Sequence, residues 1–344
     1  MIKRSLIVVR TLLTLALCLS MASLIMTSSS PGESSKLVVV TSIAPLSLIA
    51  REIGGSFVET YIILPPKADP HEFYPSIHTI ELVKRAKLFV HTGHFDFERE
   101  ILRAVDIKDV GKRHYKEYGL KFVYYPSSLD VNIHGYWLDP DNAIAIAKAI
   151  EEALEEVDPD HAEYYRSKLA EFISKMRHFK EIAKELVDEI DLRDISVVIT
   201  LPIEEYFVAS LGVEVKEVIM KYDIEPSARK MEELVEILEE NKCLVTMCEL
   251  ALETKASKYA YELISRSKKP LALLRVIHVE DFDTFSSLLY YNLGSLTTAA
   301  SMIHEKEVSP SYLLLSPQLY NALIIALLII AIAEFLLILR LARA

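Results

Sequence analysis

Glycine is scarce in this chain, nine in 344 residues, and none stands in a Gly-x-x-x-x-Gly-Lys-Ser/Thr or Gly-x-Gly-x-x-Gly pattern. Both patterns place glycine where backbone wraps a phosphate, so a P-loop ATPase and a dinucleotide-binding module are not expected. Gly-x-Ser-x-Gly and His-Glu-x-x-His are missing as well, which removes two common hydrolase signatures. Basic residues are outnumbered, 38 Lys and Arg against 49 Asp and Glu, for a net charge of -11. Binding nucleic acid needs a basic patch to neutralise phosphates, so no nucleic-acid partner is expected, whereas an acidic balance is compatible with attracting cations. Glutamine occurs once, at Gln318, which fits the depletion of thermolabile amides in proteins from hot habitats.

Cysteine is also sparse. Of three, Cys18 lies in an N-terminal apolar run and only Cys243 and Cys248 fall in the body. If Leu244 to Glu249 is a strand, their sulfurs face opposite sides, about 16 Å apart along the chain. A disulfide needs Cα atoms within roughly 7 Å, so these two read as buried small hydrophobes.

Long apolar runs mark both ends. Residues 1–30 carry Lys3 and Arg4, then an apolar run from Thr11 to Met26 and a serine-rich patch, the pattern of a signal peptide or signal anchor. Leu17 ahead of Cys18 is bulky where a lipoprotein signal wants a small residue. Residues 319–340 are almost wholly apolar and are followed by Arg343, long enough for a transmembrane helix. Basic residues outside both runs put both termini in the cytoplasm and the body outside it. A stalk, 306–318, carries Ser309-Pro310 and Ser316-Pro317.

The body alternates strand and helix. Lys36 to Thr41 is a β-branched run of the buried-strand type, Leu46 to Ile53 a helix closed by Gly54-Gly55, and Phe57 to Leu64 a second strand. Thr79 to Ala86 reads as helix and Leu88 to His91 as a third strand. Apolar spacing from Pro159 to Ile190 gives a helix of about 45 Å, a stiff connector. Alternation resumes from Ile195 to Ile303. The fold class is α/β, two lobes with mainly parallel sheets, with boundaries at 36–158, 159–190 and 191–305.

The chemistry concentrates in two loops. Leu64-Pro65-Pro66-Lys67-Ala68-Asp69-Pro70-His71-Glu72-Phe73-Tyr74-Pro75 is stiffened by four prolines and presents one histidine after the second strand, where ligand loops of such folds lie. His134 stands just ahead of a helix signalled by Asp139 as N-cap and Pro140 in its first turn. His91 and His94 end the third strand and are further candidates.

With these residues in view, the chain resembles the metal-specific solute-binding proteins of zinc and manganese ABC transporters, the cluster A-I type. Val40 to Leu46, the loop of His71 and the stretch His134-Gly135-Tyr136-Trp137-Leu138-Asp139-Pro140 carry the resemblance, as does Asp158-Pro159 at the start of the connector. The resemblance implies a divalent metal, zinc or manganese, held between the lobes, with His71 and His134 as its N-terminal ligands. It implies an ABC permease with its ATPase as partner. The terminal apolar runs make the chain a membrane-anchored receptor at the cell surface, expected to be a monomer, and with the hydrolase signatures missing it is not expected to be an enzyme. The two usual C-terminal ligand positions hold Leu201 and Arg275 instead. Glu204, Glu205, Glu249 and His278 are the candidate replacements. The alternatives are a relative that binds another ligand or acts as a membrane-anchored accessory or adhesion protein and, more distantly, a metal-dependent hydrolase.

Overall fold

The computed structural model describes residues 36–307 apart from positions 127, 129, 222, 223 and 241. The expected signal segment at 1–30, the transmembrane helix at 319–340 and all but the first two residues of the stalk lie outside them. Among the described residues no helix is long and apolar enough to cross a membrane.

The first lobe is built on β1 (Leu37–Thr41), whose valines are β-branched and whose carboxyl half is buried. It lies between β2 (Val58–Ile62) and β3 (Leu88–Val90), with β4 (Asp109–Val110) beyond β3, and every pairing is parallel. Parallel neighbours need crossovers. Helix Ala44–Gly54 returns the chain from β1 to β2, and helix Ile77–Arg85 returns it to β3. Ser76 caps the second of these, its hydroxyl accepting from the Thr79 amide. A short antiparallel pair, β5 (Val123–Tyr124) with β6 (Val131–Asn132), then leads to the loop of His134.

The second lobe repeats the plan. Its strands β7 (Ser196–Ile199), β8 (Glu214–Val218), β9 (Cys243–Cys248) and β10 (Leu271–Leu274) form a parallel sheet of order β10-β9-β7-β8. Strand β9 is buried along its whole length, and both of its cysteines are free.

Helix Ala162–Glu189 joins the lobes after a single 3-10 turn at Pro159–His161. Its buried residues, Tyr165, Phe172, Met176, Phe179, Ala183 and Val187, recur every three to seven positions on one face. Phe172 meets Phe285 and Phe179 meets Tyr290, both on helix Phe285–Glu307. The connector therefore packs against the second lobe as well as the first.

The elements between His94 and Phe122 escape sequence reading. Helices Asp96–Ala104 and Lys112–Glu117 flank the two-residue β4. Each is short and charged, so its apolar periodicity is too brief to stand out.

Candidate metal site

Three histidines converge where the ends of the first lobe's sheet face the second lobe. His71, His94 and His134 each offer a ring nitrogen, and these nitrogens lie within 4.8 Å of one another. The ring centroids of His94 and His134 are 4.5 Å apart, and His71 lies 5.5 Å from each. His71 is exposed and the other two are half-buried.

Each ring is positioned by a local device. In the first loop, the Asp69 carboxylate accepts from the His71 amide at 2.8 Å, closing a turn within the proline frame. In the second, the chain turns through Gly93 at φ +73° and then meets Glu98. Glu98 is fully buried and accepts from the amides of Thr92, His94 and Phe95 and from the Thr92 hydroxyl. One carboxylate thereby caps helix Asp96–Ala104 and fixes the backbone that carries His94. In the third, the His134 amide donates to Asn132 Oδ1 at 2.9 Å, and Gly135 follows at φ +79°. A Cβ at Gly135 would lie 2.1 Å from the Ile203 carbonyl oxygen, so the second lobe approaches too closely for any other residue.

Burial sets the protonation of the two half-buried rings. Desolvation, reinforced by the neighbouring imidazoles, pulls the His94 pKa down to about 2 and that of His134 down to about 4. Both rings are therefore neutral near pH 7, the form with a free lone pair for a metal. Among the described residues neither ring nitrogen of His94 finds a hydrogen-bond partner, although both are buried. Such orphaned polar atoms cost stability unless something binds them, and a metal ion would satisfy one. His134 Nδ1 lies 3.4 Å from the Tyr125 hydroxyl.

The other candidates are placed differently. Glu204 is fully buried, and its carboxylate accepts from the amides of Thr200, Leu201 and Cys248 and from the Thr246 hydroxyl. Burial raises its pKa, and these donors offset part of that rise. Glu205 accepts from Asn132 Nδ2 at 2.7 Å and so braces the loop of His134 from the second lobe. Glu249 gathers the amides of Val276, Ile277 and His278 at 2.7–3.0 Å. His278 is buried with neither ring nitrogen partnered among the described residues, yet it is not one of the three histidines that converge. Arg275 turns to Asp281 at 2.7 Å and to the His278 carbonyl. His91 packs away from the cluster, bonded to Asp109 at 3.0 Å. Sequence reading ranked His94 behind His71 and His134. The signal that could have raised it is Gly93 followed five residues on by Glu98.

Across the cleft, Leu201, Pro202, Ile203, Met220 and Leu250 form an apolar wall facing His71 and His134. The chamber between them has a volume of about 230 Å³.

Known proteins resemble the chain over most of its length. Residues 39–299 match the family described as zinc-uptake complex component A, periplasmic. The manganese ABC transporter substrate-binding lipoprotein PsaA of Streptococcus pneumoniae is 23% identical over 284 residues, covering 78% of this chain and 90% of PsaA. The metal ABC transporter substrate-binding lipoprotein SsaB of Streptococcus sanguinis is 23% identical over 301 residues, covering 83% and 96%. In structure, FpvC of Pseudomonas aeruginosa, solved with Mn2+, superposes with a TM-score of 0.65 at 18% identity, covering 78% of this chain and 99% of FpvC. The family match spans most of the chain and every strand but β1's first two residues. This chain belongs to the zinc-uptake component A family of ABC-transporter substrate-binding proteins.

Proposed function

We propose that this chain captures a divalent transition metal ion outside the cytoplasm and hands it to an ABC permease driven by its ATPase. The reading makes it a carrier, not an enzyme, acting as a monomer. The observation that carries it is the convergence of three imidazoles at the interlobe cleft of a protein of this family. His71, His94 and His134 are the proposed ligands. Three protein ligands at one site match the count of open zinc centres. Imidazole suits zinc better than manganese, which favours oxygen donors, so zinc is the proposed cargo ahead of manganese.

The membrane tether is part of the same proposal. The relatives are named lipoproteins. Leu17 suits Cys18 poorly to lipid attachment, and the apolar run at 319–340 would serve as anchor instead.

The test is a metal titration of the purified full-length chain. One equivalent of zinc is expected to bind. His71→Ala and His134→Ala should each weaken it by more than the roughly 10–100-fold that loss of an outer partner costs. Binding no tighter than millimolar, unchanged in both variants, would overturn the proposal.

A further inference from the structure

The three imidazoles all come from the first lobe, and they supply nitrogen only. A divalent ion held by three imidazoles keeps its full double charge in a half-buried place. Buried charge is costly unless compensated, and a carboxylate is the usual compensation. The carboxylates of the second lobe nearest in sequence to the family's ligand positions are already engaged. Glu204 holds the β7 and β9 loop amides, Glu205 holds Asn132, and Glu249 holds the loop after β10. Arg275 is paired with Asp281, and Leu201 has no donor atom to offer.

What the second lobe presents is space. The chamber of about 230 Å³ borders His71, His134 and Asp69, whose carboxylate is engaged with the His71 amide, and its second-lobe wall is Leu201, Ile203, Met220 and Leu250 with Thr254 beside them. A bound water occupies about 30 Å³. The chamber is therefore several times larger than a single coordinated water needs. Its size and apolar walls suit a small molecule with a hydrocarbon body, and the metal at its floor would bind that molecule's donor group.

We propose that the cargo enters as a ternary complex, in which the open coordination position of the three-histidine-bound metal is taken by a small carboxylate ligand with an apolar body, such as an aliphatic amino acid, seated against Leu201 and Leu250. This inference rests on the metal-receptor reading of the same site. It assigns to the second lobe the task of enclosing the co-ligand in place of supplying ligand atoms.

Cobalt(II) reports on it directly, because its visible absorption changes with the number and type of donors. The full-length chain is loaded with Co2+ and titrated with L-leucine, with acetate as the small control. The expected result is a saturable spectral change with L-leucine, tighter than with acetate. Leu201→Trp, which fills the chamber, should weaken the L-leucine response about tenfold more than it weakens cobalt binding. Leu201→His supplies a fourth protein donor, so its cobalt spectrum should no longer respond to either additive. If cobalt binds but the wild-type spectrum ignores L-leucine, the ternary complex is overturned and the metal receptor stands. An equal response to acetate and L-leucine, unchanged in Leu201→Trp, overturns the role of the chamber walls. If the wild type takes no cobalt, the metal-receptor reading itself fails.

Discussion

His94 shows how one side chain carries opposite costs in two states. Its imidazole is buried with both nitrogens unpartnered among the described residues, so in the metal-free protein those nitrogens cost stability that the ring's packing on Phe95 offsets in part. His94→Ala is accordingly expected to leave the metal-free protein as stable as before, or slightly more so, while removing most of the stabilisation by zinc. Thermal unfolding with and without saturating zinc reads both effects, since a ligand stabilises in proportion to RT ln(1 + [L]/Kd). A large loss of stability in the metal-free variant, with the zinc-induced shift preserved, would show that the ring is structural. Gly135 is the contrasting case. Its φ of +79° and the 2.1 Å approach of a Cβ to the Ile203 carbonyl oxygen leave no tolerated substitute. Gly135→Ala should cost about 1–3 kcal/mol in denaturant unfolding, and should weaken zinc binding because His134 is its neighbour.

At the scale of elements, the strand ends do the positioning, and what could be read from sequence depended on how local each device is. The loop of His71 is legible because its prolines and Asp69 act within a few residues. Helix Ala162–Glu189 is legible because 28 residues repeat one apolar face. Glu98 and Glu204 were not legible as what they are. A carboxylate that gathers backbone amides looks, in sequence, like any acid at a helix start or near a ligand position. Glu204, Glu205 and Glu249 therefore read as metal-ligand candidates, whereas each is engaged with backbone or amide donors across the fold. The edge strand β4 rests on a similar contact. Asp109 bonds His91 and Arg113, and the His91 contact above all holds the Asp109 carboxyl below its ordinary pKa, with Arg113 helping. A carboxyl whose folded pKa is depressed contributes stability above its unfolded value, near 3.9, and loses it as pH falls through the folded value. Asp109→Asn should therefore flatten the acid end of the stability profile, narrowing the difference between melts near neutrality and melts in acid. An unchanged acid dependence would remove Asp109 from the account.

At the scale of the whole molecule, the question is how far the lobes move when the cleft fills. Several ties already cross between them. Trp137 Nε1 donates to the Val276 carbonyl at 3.0 Å, and Asn132 Nδ2 donates to the Pro202 carbonyl at 2.8 Å. Arg51 reaches the carbonyls of Phe282 and Asp283, while Glu52 accepts from the Phe285 amide and pairs with Lys175 on the connecting helix. Hinge closure needs a few residues that absorb large changes in φ and ψ. Here the connector is a continuous helix packed on Phe285 and Tyr290, which offers no such hinge. If the metal ligands all belong to the first lobe, its binding also supplies no direct pull between lobes, and a ligand shifts an equilibrium only by its differential affinity for the two states. Small-angle scattering of the full-length chain with and without zinc should then show nearly the same radius of gyration. Disconnecting the ties by Trp137→Phe together with Arg51→Ala should broaden the distribution of lobe separations in the metal-free protein. A pronounced contraction of the wild type on adding zinc would mean that the second lobe does reach the metal, and would return Glu205, Glu249 or His278 to the ligand set.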